Sequence, residues 1–267
     1  MGKSSLLPLA LIAVVVGLIY YFVLLAPAPE PAVVAQTPAP TPAVAPAQPA
    51  PDPEVERYPI VAATPPAEPA PPINPDDDTA YRDGLLQLVG PEALAYFYPD
   101  RMIRRLVATI DNLPREEAPA KMMPIKPVGG PFMVERHAGT MTVDPANDQR
   151  YLRYLNVLAA VDPRRLVDLY ISLYPVFQQA YRELGYPRGH FNDRLVDAID
   201  NLLATPEIKP PLAVVQPKVL YKFADPALEK RSAGQKLLLR MGADNMARTK
   251  ILLIAIRGEL LSRSPAK

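Results

Sequence analysis

Twenty residues without a charge, Leu6–Leu25 (LLPLALIAVVVGLIYYFVLL), form the longest apolar stretch of the chain. A helix of that length spans roughly 30 Å, the thickness of a bilayer's hydrocarbon core. Beyond it the apolar residues recur at helical spacing. Met102, Ile103, Leu106, Val107, Ile110 and Leu113 share one helix face, as do Leu166, Leu169, Tyr170, Leu173, Phe177, Ala180, Tyr181 and Leu184. The pattern predicts further helices from a cap at Asp78 or Thr79 through Val89, from Pro91 through PEALAYFY, over Phe191–Ala204 and from Ser232-Ala233-Gly234-Gln235 into KLLLRM. Pro175 should kink the long aromatic-striped helix after Tyr174. A last helix should run from a cap at Asp244 to about Ser262; its centre, Ile251–Ile256, is apolar all round and reads as buried. Asp144-Pro145, Asp162-Pro163 and Asp225-Pro226 are each an N-cap followed by a first-turn proline. Alternation over Phe132–Val143, with Ala138-Gly139 at its centre, predicts a hairpin, and Val219–Phe223 an isolated strand.

One helical pattern occurs twice. Arg105-Leu-Val-Ala-Thr-Ile-Asp-Asn-Leu113 and Arg194-Leu-Val-Asp-Ala-Ile-Asp-Asn-Leu202 agree at seven of nine positions. Tyr98-Pro99 and Tyr186-Pro187 precede them; Pro124-Ile-Lys-Pro127 and Glu207-Ile-Lys-Pro210 follow. The expected architecture is therefore mainly α: an anchor helix plus an α-rich globular domain of two related half-domains, with a minor β-hairpin.

Composition separates anchor from domain. Between Ala26 and Ala80, 17 of 55 residues are proline, and eight acids face one base, Arg57, for a net of −7. Such a stretch is a spacer that leans to polyproline II. The remainder after Ala80 carries 27 bases and 20 acids, a net of +7, which suits an anionic surface or the acidic spacer itself. The chain thus divides into an N-terminus over 1–5, a transmembrane helix over 6–26, a disordered Pro/Ala-rich linker over 27–78 and an α-rich domain over 79–265, whose repeat spans 98–127 and 186–210. Lys3 and the α-amine lie before the span and no base follows until Arg57. The N-terminus is then expected to be cytoplasmic and the domain periplasmic, on a single-pass inner-membrane protein. A cleaved signal peptide fits less well: the apolar core is long, and Pro29 follows the small-residue triplet Ala26-Pro27-Ala28.

Chemical signatures are sparse. The chain has no cysteine, which excludes thiol chemistry, lipoprotein attachment and palmitoylation. His137 and His190 have no partner at metal-ligand spacing. Neither a P-loop, a GxGxxG nor a GxSxG is present, so no cofactor, metal or catalytic residue is assigned and no nucleic acid is expected. The repeat residues Arg105, Asp111, Asn112, Arg194, Asp200 and Asn201 are the positions of interest. Asp111 and Asp200 fall at helix C-termini, where a negative charge opposes the macrodipole and needs compensation. The structural assignment pairs them with loop donors or with an arginine of the other half. The functional alternative places two carboxylates across a groove, as in hydrolases of cell-wall glycan.

The C-terminal two-thirds resembles a bacterial family known only as domain of unknown function 3014. The resemblance rests on the first repeat, on Leu184-Gly-Tyr-Pro187 and on Asp200-Asn-Leu-Leu-Ala-Thr-Pro206. It rests above all on Leu220-Tyr-Lys-Phe-Ala-Asp-Pro-Ala-Leu-Glu229 with Gln235-Lys-Leu-Leu-Leu-Arg-Met-Gly242. It implies a membrane-anchored proteobacterial envelope protein, and it carries no activity and no functional residues. The expected role is a non-enzymatic interaction or scaffold module with an envelope protein or a wall polymer as partner.

Overall fold

The structure is a computed structural model that describes residues 55–60 and 74–264. The expected membrane span and most of the expected linker lie outside these residues. Among the described residues no helix is long and apolar enough to cross a membrane.

Nine α-helices and four short strands follow one another among the described residues: α1 (Thr79–Leu94), α2 (Met102–Asn112), β1 (Val134–His137), β2 (Thr140–Val143), α3 (Asn147–Ala159), α4 (Pro163–Ser172), α5 (Tyr174–Glu183), α6 (Phe191–Leu203), β3 (Ala213–Val215), β4 (Lys222–Phe223), α7 (Pro226–Glu229), α8 (Ala233–Arg240) and α9 (Ala243–Ser262). A single 3₁₀ turn, Ala120–Met122, lies between α2 and β1. All the helices but the short α7 contribute to one apolar core, in which Phe177 stacks on Phe191 at 5.9 Å and meets Tyr81 edge-on at 5.7 Å. The repeated apolar positions do equivalent work there: Leu106, Val107, Ile110 and Leu113 of the first copy are buried, and so are Leu195, Val196, Ile199 and Leu202 of the second.

The two repeat helices, α2 and α6, therefore belong to one core and pack on each other. Their following segments diverge. Ile125 is fully buried in the main core and pairs with Phe97 across an isolated bridge. Its counterpart Ile208 is half-buried against a second, smaller core of Val214, Phe223, Leu228 and Leu239.

The structure departs from the sequence pattern at several places. The hairpin forms at Ala138-Gly139, both at positive φ, with Val134 opposite Val143. It then grows into an antiparallel sheet of order β1-β2-β3-β4. Strand β3 has three residues inside a proline-rich stretch, too few to show alternation, and only the last two residues of the expected strand pair, as β4. Gly90, at φ 76° and ψ 170°, breaks α1, and the helix expected from Pro91 stops at Leu94 so that Phe97 can reach Ile125. The aromatic-striped helix is two helices: the chain leaves helical geometry at Leu173, and Pro175 stands in the first turn of α5 rather than in a kink. Asp78 caps α2, not α1, accepting from the N–H groups of Met102 (2.8 Å) and Ile103 (3.0 Å). Asp244 lies inside the first turn of α9, whose start is set by Gly242 at φ 91°. The apolar centre of α9 is not wholly buried. Leu253, Ile256 and Leu260 face the core, whereas Ile251 and Ile254 are 68% and 59% exposed, because α9 packs on neighbours along one side only.

Candidate functional site

The first two turns of α6 and the residue that caps it present His190, Asn192, Asp193, Arg194 and Asp197 beside the C-terminal end of α2. Phe191, fully buried, anchors the first turn in the aromatic core, and Gln178 of α5 accepts from the Phe191 N–H at 2.8 Å. Around it opens a polar cleft of about 290 Å³, lined by residues that include Asp111, Arg115, Tyr186, His190, Arg194 and Arg57.

Asp111 forms the floor. Its side chain is 6% exposed. Oδ1 accepts from Arg194 Nε at 3.0 Å; Oδ2 accepts from Arg115 Nη2 at 2.8 Å and from the Tyr186 hydroxyl at 3.1 Å. A second nitrogen of Arg194 donates to the Asp111 carbonyl. Two guanidinium groups thus compensate a carboxylate placed at the wrong end of the α2 dipole. One of them, Arg194, comes from the other copy of the repeat.

The other repeat residues are not brought together with these. Asp200 faces away from the cleft and is held by Arg257 of α9, at 2.5 and 3.1 Å. Arg105 lies at the far side of α2 and bonds the Asp100 carboxylate (2.8 Å) and the Lys121 carbonyl (2.6 Å), which holds Asp100 below the usual carboxylate range. Asn112 donates back to the Ala108 carbonyl at 2.6 Å. Asn201 serves α8: its Oδ1 accepts from Ser232 Oγ at 2.6 Å and its carbonyl from Gln235 Nε2 at 2.8 Å. His137 is on exposed strand β1, and His190, ahead of α6, stands 3.5 Å from Glu56.

The residues missed at the level of sequence are in the spacer. Val55–Ile60 lies on the domain. Asp193 accepts from two successive backbone N–H groups, Arg57 at 2.9 Å and Tyr58 at 2.8 Å. Asn192, fully buried, donates to the Tyr58 carbonyl at 2.7 Å while its own carbonyl accepts from the Tyr170 hydroxyl at 3.2 Å. The Arg57 guanidinium forks onto Asp197 at 3.0 and 2.6 Å and lies 5.6 Å from the Tyr58 ring centre. Ile60 packs against the main core. Carboxylate hydrogen bonding to Asp197 raises the Arg57 pKa. A signal was available: Arg57 is the one base and Tyr58 the one aromatic between Ala26 and Ala80.

A family model described as "Protein of unknown function (DUF3014)" matches residues 102–257, which run from the start of α2 to the Arg257 that holds Asp200. The chain belongs to this family. The match takes in the Asp111 cluster, the Asn192–Asp197 face and the repeated nonapeptide in both its copies, and it begins after the spacer segment that docks on them. No curated protein and no solved structure matches the chain.

Proposed function

We propose that this DUF3014 member is a non-enzymatic interaction module of the bacterial envelope. In this reading Leu6–Leu25 anchors it in the inner membrane with the N-terminus in the cytoplasm, and the proline-rich spacer carries the helical domain into the periplasm. The partner is an envelope protein or a wall polymer. One observation carries the reading: the domain already grips a short bent peptide segment, Arg57–Tyr58, through main-chain groups and one arginine fork. Capture of main-chain groups by fixed polar side chains is one way in which interaction domains hold peptide segments. The glycan-hydrolase alternative needs a free acid and a free base flanking one bond. Asp111 is locked by Arg115 and Arg194, and Asp200 is engaged by Arg257 outside the cleft.

Isolated sacculi incubated with the purified full-length protein provide the test. The expected result is no release of soluble glycan fragments. Release that stops in an Asp111→Asn or Asp200→Asn variant would overturn the reading. For the topology, protease added to spheroplasts should remove the domain while the intact inner membrane protects the first residues; a domain resistant until lysis would place it in the cytoplasm.

A further inference from the structure

We infer that the face of α6 formed by Asn192, Asp193 and Asp197 is a binding site for a peptide segment bent at an arginine that precedes an aromatic residue, and that Glu56–Ile60 is its resident occupant, held in cis and displaceable by a segment of the same chemistry from another protein. This deepens the interaction reading above and names the ligand class.

The recognition has three layers. The first reads backbone. Asp193 takes the N–H groups of residues 57 and 58 with its two oxygens, and Asn192 takes the carbonyl of residue 58. Three main-chain groups in succession are satisfied by two adjacent side chains, with no demand on sequence. The second layer reads charge. Asp197 stands one helical turn after Asp193, on the same face of α6, at the spacing that lets one carboxylate hold the backbone and the next hold the guanidinium. The planar fork selects arginine over lysine. The third layer is apolar: the Tyr58 ring lies against its own arginine and Ile60 reaches the core.

The host side chains are built for this work. Asn192 and Asp193 are buried in the presence of the segment, and the contacts the structure gives Asp193 are with Arg57 and Tyr58. The turn of α6 that carries them is fixed from behind by Tyr170 and Gln178. The occupant, in contrast, is lightly held. Arg57 is half exposed, and thirteen residues with five prolines, 61–73, join Ile60 to Asn74. Residues 55–60 themselves form no helix or strand, so their release from the groove breaks no such element. A segment tethered this closely has an effective concentration in the millimolar range, so it keeps weak competitors out and yields to a tighter one.

Arg57 is the one Lys or Arg between Lys3 and Arg82, so trypsin cutting after it separates domain from anchor as a single product. In full-length protein held in detergent micelles, that bond should be protected, and Asp193→Asn or Asp197→Asn should speed its cleavage by about tenfold or more through local opening. A second measurement keeps the outcome independent of trypsin geometry. A fluorescein-labelled peptide of residues 52–62 should bind the full-length Arg57→Ala protein, whose groove has lost its own arginine. It should bind at least about tenfold more weakly to wild type, where the cis segment competes, and to Arg57→Ala/Asp197→Asn. Equal trypsin rates in wild type and Asp197→Asn, or equal peptide affinities with and without Asp197, would overturn the site. A wild-type dimer by light scattering that Arg57→Ala converts to monomer would show the segment swapped between two copies, and the cis occupant would be wrong. Glycan release from sacculi would sink the interaction reading and leave these rates untouched. Equal trypsin rates would sink the peptide site and leave the module non-enzymatic.

Discussion

In α2 the repeated aspartate, Asp111, is buried and held by Arg194, Arg115 and Tyr186; in α6 its counterpart, Asp200, has a side chain 43% exposed and is held by Arg257. The two helices share sequence, backbone form and an equivalent set of buried apolar positions. Their difference lies in what surrounds the polar end. The C-terminus of α2 points into the middle of the fold, where α6 offers Arg194 and the loop before it offers Tyr186. The end of α6 lies nearer the surface, where α9 offers one arginine. The apolar face of a helix fixes that it packs. The value of its polar residues depends on how much water the neighbours exclude.

The helix α8 joins the two ends. Its first N–H groups donate to carbonyls at the end of α2, Ala233 to Arg115 at 2.6 Å and Gly234 to Leu113 at 3.1 Å. Its Ser232 and Gln235 side chains hold Asn201 of α6. The positive end of one helix thus meets the negative ends of two others. Gly234 makes the approach possible: a Cβ there would lie 2.5 Å from Leu202 Cδ2 and 3.3 Å from the Leu113 carbonyl, the ninth position of both repeats.

The contrast can be broken at its stronger side first. Asp111→Ala should lower stability by about 2–3 kcal/mol in urea titration, because it strands two guanidinium groups, one of them largely buried. A loss below half of that would place Asp111 with ordinary surface acids. Gly234→Ala comes next, at about 1–2 kcal/mol, as overpacking against Leu202 outweighs the helix propensity gained. An unchanged midpoint would show that Leu202 can move aside. Ser232→Ala removes the cap on the Gln235 N–H (3.2 Å) and the bond to Asn201, for about 1 kcal/mol by thermal melting. Asp200→Ala should cost less than about 0.5–1 kcal/mol, and its effect should fade in high salt while that of Asp111→Ala persists. Equal salt dependence of the two variants would abolish the distinction between the ends.

A carboxylate without an arginine sharpens the comparison from the opposite direction. Burial and the neighbouring Asp244 raise the Asp148 pKa. The folded state therefore favours the protonated form. The stabilisation is present below the unfolded aspartate range and is lost as pH rises through the folded value. Asp148→Asn should raise the melting temperature at neutral pH and have no such effect near pH 3. Asp76, Asp100 and Glu183 run the other way: hydrogen bonds from Arg104, Arg105 and, for Glu183, first from Gln179 lower their pKa values, so their contribution is present at neutral pH and is lost in acid.

Much of the helical frame was legible in the sequence because it rests on local rules. Asp162-Pro163 and Asp225-Pro226 open α4 and α7 with the aspartate accepting from the N–H two residues on. The turn at Ala138-Gly139 needed two residues at positive φ and has them. Some failures were local: Asp144-Pro145 forms a turn ahead of α3, whose N-cap is Ala146, and Asp244 lies inside α9 rather than at its cap. The larger ones were non-local. Asp78 precedes a helix in sequence and caps another 24 residues away. Ala213–Val215 becomes a strand because β2 offers it an edge, with Met141 opposite Val214. The docking of Arg57 was hidden by its setting, since a proline-rich stretch reads as spacer whatever single residues it carries.

By itself the sequence determined that the domain is mainly helical, that two of its helices share one pattern, and that a charge-free stretch of membrane-spanning length precedes a spacer of opposite net charge to the domain. These follow from periodicity, composition and short-range sterics, which need only neighbours in the chain. Only the tertiary structure decided that Asp111 meets Arg194 while Asp200 meets Arg257, and that Asp193 holds the backbone of residues 57 and 58. Those pairings span 57 to 136 residues. They depend on where whole helices come to rest, and no local spacing encodes that.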